Sequence, residues 1–259
     1  MTNAIVVTGG ASGIGRAVLQ GLAPLPGQRY NLDIKACGLD GVTDLDCDLA
    51  DPESIEGALA KLPDAIDAAV HVAGVAPAMV SDLDVMKVNF LGMRYLNEAL
   101  LPRMREAGRV VIVASSIGRD WHENADTVNA LLDETTFTAG EAWLDAHPER
   151  WSDNPYKFSK QCAAAYTYRA AGMARPYQVT VNCVNPGIVE TQLSPWFRDL
   201  IGSDYYDRVN QQVGRPGRPE DIAGLIRFLV SPEAGWVNGV EIQADGGYRA
   251  AVVGGWLAG

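Results

Sequence analysis

The chain has 259 residues, 47% of them hydrophobic and 20% charged, with a formal net charge of −11. The apolar share excludes a disordered or fibrous chain. The acidic balance disfavours nucleic acid and anionic membrane surfaces as partners, since both need a basic face.

In chain order, Met1-Thr2-Asn3 leads straight into Ile5-Val6-Val7 without a basic region or cleavage site, so no signal peptide is expected. Ala4–Thr8 reads as a buried strand, followed by a glycine-rich turn and a helix from about Gly13 to Ala23. Tyr30–Ile34 is a second short strand, Ser54–Lys61 a helix, Ala68–Val72 a strand and Leu83–Met104 a long helical region. Val110–Ser115 is a strand, Tyr156–Arg175 a helix, Gln178–Val184 a strand, Glu220–Leu229 a helix and Glu241–Ala244 a last strand. The longest apolar stretch, Ala68–Val80, holds His71, Gly74 and Pro77 and falls short of the ~20 residues of a membrane span. Four cysteines, at 37, 47, 162 and 183, form no C-x-x-C pair, which fits reduced thiols and a cytoplasmic protein. The three histidines are scattered, so no metal site is expected.

Strands alternating with helices, the strands nearly continuously apolar, predict an α/β fold. It is a three-layer, doubly wound, Rossmann-type parallel sheet forming one domain over 1–259.

Thr8-Gly9-Gly10-Ala11-Ser12-Gly13-Ile14-Gly15 joins the first strand to the first helix with the spacing G-x-x-x-G-x-G. Glycines there let backbone N–H groups approach a pyrophosphate, and the helix N-terminus adds partial positive charge. Asp33 ends the second strand, 18 residues after Gly15. A carboxylate there bonds the ribose hydroxyls of NAD and repels the 2′-phosphate of NADP, and no basic residue lies in Gly10–Ser12, so NAD is expected. Asp48-Leu49 falls where the adenine would lie.

Tyr156 and Lys160 stand at i and i+4 on one helix face, where a lysine lowers a phenol's pKa and fits it for proton transfer. Ser115-Ser116 closes an apolar strand at the end where ligands bind in such sheets, and Asn89 is a polar residue in an apolar helical stretch. Asn185-Pro186-Gly187-Ile188-Val189-Glu190-Thr191 follows the next strand and is placed to wrap a nicotinamide.

Together T-G-x-x-x-G-I-G, Val88-Asn89, Ser115-Ser116, Y-x-x-x-K, N-P-G-x-x-x-T, Arg215–Asp221 and Asp245-Gly246-Gly247 resemble the short-chain dehydrogenase/reductase family over nearly the whole chain, in the family's order. The resemblance implies about seven parallel strands and hydride exchange with a nicotinamide. It implies that Tyr156 is the acid/base, that Lys160 lowers its pKa and holds the nicotinamide ribose, and that Ser116 bonds the substrate oxygen, with Ser115 the alternative. Asn89 would hold a relay water, and Ile188 and Thr191 the carboxamide. Gly9, Ser12, Gly13, Ile14, Gly15, Ala73, Gly74, Pro186 and Gly187 would line the cofactor with Asp33, Asp48 and Leu49.

Three departures stand out. His71-Val72-Ala73-Gly74 replaces the family's Asn-Asn-Ala-Gly, and His71 reads as a strand-end core residue whose imidazole replaces a lost side-chain bond. Ser116 and Tyr156 lie 40 positions apart, far more than is usual, leaving an insertion from Arg119 to Pro155. Within it Asp126–Leu132 reads as helical, Thr138-x-x-Glu141 resembles a capping box, and His147-Pro148 marks a helix end. A similar insertion marks the branch of bacterial 3α-hydroxysteroid dehydrogenase/carbonyl reductase. It lies either beside the substrate mouth or in a packing or subunit contact. The tail Ala250–Gly259 carries Val252, Val253 and Trp256, for a subunit contact or for cover over the cleft.

Residues 192–215 match the family's substrate lid and hold Leu193, Trp196, Phe197, Leu200, Ile201, Tyr205 and Tyr206; Arg198 and Arg208 have Asp199 and Asp207 near them to pair with. An apolar lid suits a bulky apolar cyclic, aromatic, terpenoid or steroid-like alcohol or ketone. Interconversion of a secondary alcohol and a ketone, in a homotetramer or homodimer, is the expectation. Imine reduction, epimerisation, dehydration and a non-catalytic NAD sensor are the alternatives.

Overall fold

In the computed structural model, which describes residues 4–256, Ala4–Thr8 (β1) is buried at every position, as a strand covered on both faces must be. It pairs in parallel with Gln28–Asp33 (β2) on one side and Ile66–His71 (β4) on the other. Val42–Asp46 (β3) adds to β2, and Met104–Val113 (β5), Thr180–Pro186 (β6) and Glu241–Ala244 (β7) continue beyond β4. The order is β3-β2-β1-β4-β5-β6-β7, all parallel, so the chain reverses direction across the sheet between β1 and β4, where doubly wound folds bind their ligands.

Gly13–Gly21 (α1) and Pro219–Leu229 (α10) pack together on one face. Pro52–Leu59 (α2), Asp82–Met86 (α3), Met93–Leu100 (α4) and Pro155–Ala174 (α7) cover the other. The predicted helical region Leu83–Met104 is interrupted: a π-helical turn, Lys87–Gly92, separates α3 from α4, and Met104 already belongs to β5. β3 was not expected, because Leu45 is its only buried residue and no apolar run announces it.

The insertion holds Ala125–Leu132 (α5) and Phe137–Ala146 (α6). Thr136, not Thr138, caps α6 by accepting from the Ala139 N–H at 3.1 Å, while Glu141 pairs with Lys87. α5 lies on α7 and α6 on the π turn, with Phe137 edge-on to Tyr95 of α4, and Leu131, Phe137, Trp143 and Leu144 are buried there. Arg94 donates to the carbonyls of Leu132 and Glu134, and Arg169 pairs with Asp133 at 2.7 Å. Ser194–Ile201 (α8) and Ser203–Val213 (α9) form the lid, and Tyr248–Gly254 (α11) follows β7. Arg198 pairs with Asp207, while Arg208 stacks over the Tyr205 ring. Val252, Val253 and Trp256 of the tail are exposed. Residues 1–3, read for a leader, and 257–259 of the tail lie outside the described residues. Among the described residues no helix is long and apolar enough to cross a membrane.

Candidate active site

The glycine-rich turn leaves β1 and enters α1 along a path only small residues permit. A Cβ on Gly15 would stand 2.1 Å from the Gly9 carbonyl oxygen. Two side chains brace the turn. Asn31 Oδ1 accepts from the Gly10 N–H at 2.8 Å, and Thr8 Oγ1 accepts from the N–H groups of Val72 and Ala73 at 3.0 and 3.1 Å. Neither was among the expected site residues, although Thr8 opens the glycine-rich motif; Asn31 lies in a strand that is buried only at Asn31 and Leu32.

The turn forms one wall of a cleft of about 550 Å³. Gly9, Ser12, Gly13, Ile14 and Gly15 line it at the turn, and Asp33, Asp48 and Leu49 line it at the ends of β2 and β3. Ala73 and Gly74 line it after β4, with Pro186, Gly187 and Thr191 after β6. Asp33 accepts from the Ala11 N–H at 3.0 Å and from the Lys35 N–H at 3.1 Å, so its carboxylate is held at the edge of the turn. The cleft fits a nicotinamide dinucleotide: backbone at the centre for a diphosphate, a carboxylate at one end for a ribose, and Tyr156 with Lys160 at the other. Ile188 stands apart from this set. It lines a second cavity, and its carbonyl accepts from the Gly217 N–H at 2.8 Å.

That second cavity, of about 560 Å³, lies across Ser115 and is roofed by the lid. Ser115, Gly187 and Phe197 line both spaces, so the two meet at these residues, while Tyr156 lines the nucleotide cleft. The side chain hydrogen-bonded to Tyr156 is that of Ser115. This differs from the preference for Ser116: Ser115 is still extended and faces inward, whereas Ser116 already belongs to the turn Ser116–Gly118 and lines the second cavity. Gly118 lets that turn press on α7, since a Cβ there would stand 2.5 Å from the Lys160 carbonyl carbon.

Lys160 Nζ donates to the Val113 carbonyl at 3.2 Å and lies 5.7 Å from the Tyr156 ring centre. Asn89, on the π turn, accepts from the Val75 N–H at 2.8 Å and donates to the Val75 carbonyl and Ser159 Oγ. A Cβ on Gly74 would stand 3.4 Å from both Asn89 Oδ1 and Lys160 Nζ, so the two polar atoms converge over that glycine.

Burial decides the charges here. It pushes the Tyr156 phenol up, against the Ser115 hydrogen bond that lowers it, and pushes the Lys160 ammonium down to about 8. The lowering of the phenol expected from Lys160 is not seen: burial dominates and Ser115 is the group that opposes it. Trp196 and Phe197 of the lid pack edge-on against the Tyr156 ring, each at 5.2 Å. His71 is a buried strand-end residue, bonded through Nε2 to Asn97 Oδ1 at 3.2 Å, with its imidazole pushed down to about 4.

A doubly wound parallel sheet with a glycine-rich nucleotide turn and a buried Ser-Tyr-Lys set defines a nicotinamide-dependent oxidoreductase. The chain belongs to the short-chain dehydrogenase/reductase family. The family described as "short chain dehydrogenase" matches residues 3–125, and that described as "Enoyl-(Acyl carrier protein) reductase" matches 144–249. Coniferyl-alcohol dehydrogenase of Pseudomonas sp. (strain HR199 / DSM 7063) is 30% identical over 96% of this chain and 97% of its own. The 3-alpha-hydroxysteroid dehydrogenase/carbonyl reductase of Comamonas testosteroni is 26% identical over 96% and 97%. Among solved structures, the 3-alpha-hydroxysteroid dehydrogenase of Pseudomonas sp. B-0831, complexed with NADH, superimposes with a TM-score of 0.79 at 25% identity, over 99% of this chain and 100% of that one.

Proposed function

We propose that this chain interconverts a secondary alcohol and a ketone on a bulky, largely apolar substrate, with NAD as cofactor. The observation that carries the reading is the position of Tyr156. It lines the nucleotide cleft, and its phenol is bonded to Ser115, which lines both that cleft and the lid-covered cavity. Phe197, Ile201, Val209 and Val213 give that cavity an apolar wall. Relatives named as a coniferyl-alcohol dehydrogenase and as a 3-alpha-hydroxysteroid dehydrogenase/carbonyl reductase support an alcohol substrate, and the second name a secondary one.

Hydride exchange is the chemistry a bound nicotinamide supplies. In the oxidation direction Tyr156 takes the hydroxyl proton as the carbonyl forms, and in reduction it returns that proton to the carbonyl oxygen. The Ser115 hydroxyl holds the same oxygen beside the phenol. Lys160, the cation nearest the ring, favours phenolate while it is charged. Asn89 fixes the Val75 segment beside Lys160, where a relay water would pass the proton on. Asp33 selects NAD through the ribose hydroxyls. Thr191 orients the carboxamide, while the backbone of Ile188 closes the substrate side.

The test follows reduced-nicotinamide absorbance with a panel of secondary alcohols, including 3α-hydroxysteroids, and with coniferyl alcohol. NAD⁺ is set against NADP⁺. Turnover that prefers NAD⁺ and falls ~10²–10⁴-fold in Tyr156→Phe is expected. Preference for NADP⁺ would overturn the role of Asp33, and full activity in Tyr156→Phe would overturn that of the phenol.

A further inference from the structure

Glu241 is the one charged residue of β7, the short edge strand that ends the sheet, and it is half-buried. One carboxylate oxygen accepts from Asn185 Nδ2 at 2.8 Å and the other from Trp121 Nε1 at 2.9 Å; the Tyr168 hydroxyl, on α7, is hydrogen-bonded to it as well. Among the described residues no cationic side chain lies within ion-pair distance of it, so neutral donors hold the charge. Two of those donors come from segments that flank the reacting centre. Asn185 is wholly buried and opens Asn185–Thr191, the segment expected to wrap the nicotinamide; its Oδ1 accepts from the Cys183 thiol at 3.4 Å, so both ends of its amide are committed. Two residues on, Gly187 lines both cavities and donates its N–H to the Ala244 carbonyl at 3.0 Å. Trp121 opens the turn Trp121–Asn124, six residues beyond Ser115, and its ring leans on that of Tyr168 at 5.8 Å. One carboxylate therefore fastens the chain leaving β6 to the chain leaving β5.

We propose that Glu241 is a positioning residue, which holds the nicotinamide segment in register with the strand end that carries Ser115. It touches neither cofactor nor substrate and acts through Asn185 and Trp121. A carboxylate suits the task because both of its oxygens accept. The carboxamide of the same shape offers one acceptor and turns an amino group towards the other donor, so either Asn185 or Trp121 meets a donor in place of an acceptor. The side chain that loses its acceptor moves, and the segment behind it moves with it. The assignment rests on the reading of Asn185–Thr191 as the segment that holds a nicotinamide.

The test compares NADH with ADP-ribose, which lacks the nicotinamide, by calorimetric titration into the wild-type protein and Glu241→Gln. The variant is expected to bind NADH roughly tenfold more weakly and ADP-ribose less than about twofold more weakly, because the glycine-rich turn and Asp33 hold the adenosine end unaided. Trp121→Phe keeps the ring and removes its donor. Alone it should weaken NADH relative to ADP-ribose by a smaller factor, about threefold, and it carries the comparison should Glu241→Gln not fold. Combined with Glu241→Gln it removes the mismatched donor, so the double variant should bind NADH no worse than Glu241→Gln alone. Equal weakening of both ligands, as a general loosening gives, or no weakening of either, overturns the positioning role. A wild-type protein that binds neither ligand overturns the nicotinamide reading and the positioning role with it. If the difference between the ligands appears but no alcohol is oxidised, the positioning role stands and the assigned reaction falls.

Discussion

Lys160 holds an ammonium that is only 4% exposed, with one carbonyl as its hydrogen-bond partner. Because burial brings its pKa down to about 8, the unfolded chain keeps a proton that the folded chain has lost between there and the ordinary lysine value of ~10.4. Stability therefore rises with pH across that window, and below it the buried cation costs about 3 kcal/mol. Lys160→Met is expected to abolish turnover yet raise Tm by several degrees at neutral pH, measured by scanning calorimetry; a lower Tm would mean that the Val113 bond outweighs desolvation. His71 works from the acid side. Its imidazole stays neutral down to about 4, whereas the unfolded chain protonates near ~6.5, so stability is full above that value and is lost as pH falls towards 4. His71→Gln should flatten the dependence of Tm on pH between those values. At this scale the sequence was legible where spacing alone fixes geometry, as with Tyr156 and Lys160 one helical turn apart. It was not legible for Ser115 and Ser116, because which of two adjacent serines turns inward depends on where the strand gives way to the turn. Asn31 carries no pattern of its own, and although Thr8 heads the glycine-rich motif, only the folded turn shows which N–H groups need its hydroxyl.

Among the elements, α8 has the most direct hold on the chemistry, since Trp196 and Phe197 cover the phenol and burial is what raises its pKa. Trp196→Ala should let water reach Tyr156, bring its pKa down, and move the midpoint of the pH–rate profile for alcohol oxidation to lower pH. An unshifted profile would assign the burial to other contacts. The central strands β1, β4, β5 and β6 were legible because they are covered on both faces and read as apolar runs. The edge strand β3 and the lid helices were not. β3 buries one side chain, and α8 and α9 take their shape from packing on each other and on the cavity roof. The π turn also escaped the periodicity, since one residue too many per turn looks, over six residues, like an ordinary amphipathic stretch. It presents Asn89 to Val75 and Ser159, and such turns recur at functional sites.

For the molecule as a whole, a single lid closes one cavity and reaches the other: Gln192 donates to Ser12 at 2.9 Å beside the nucleotide turn, while Phe197 lines both spaces. A dimer or tetramer remains the expected assembly, with the exposed tail residues Val253 and Trp256 as the contact. Val253→Glu combined with Trp256→Glu should then lower the mass read by light scattering; an unchanged mass would place the contact elsewhere. The insertion bears on the same question. Its two helices bury Leu131, Phe137 and Leu144 against α4 and α7, and are fastened there by Arg94, Lys87 and Arg169. In effect the chain carries its own docking partner for that face, permanently attached and at an effective concentration no separate subunit could match. Deleting these residues would bare the apolar side of α4 and α7 that they now cover.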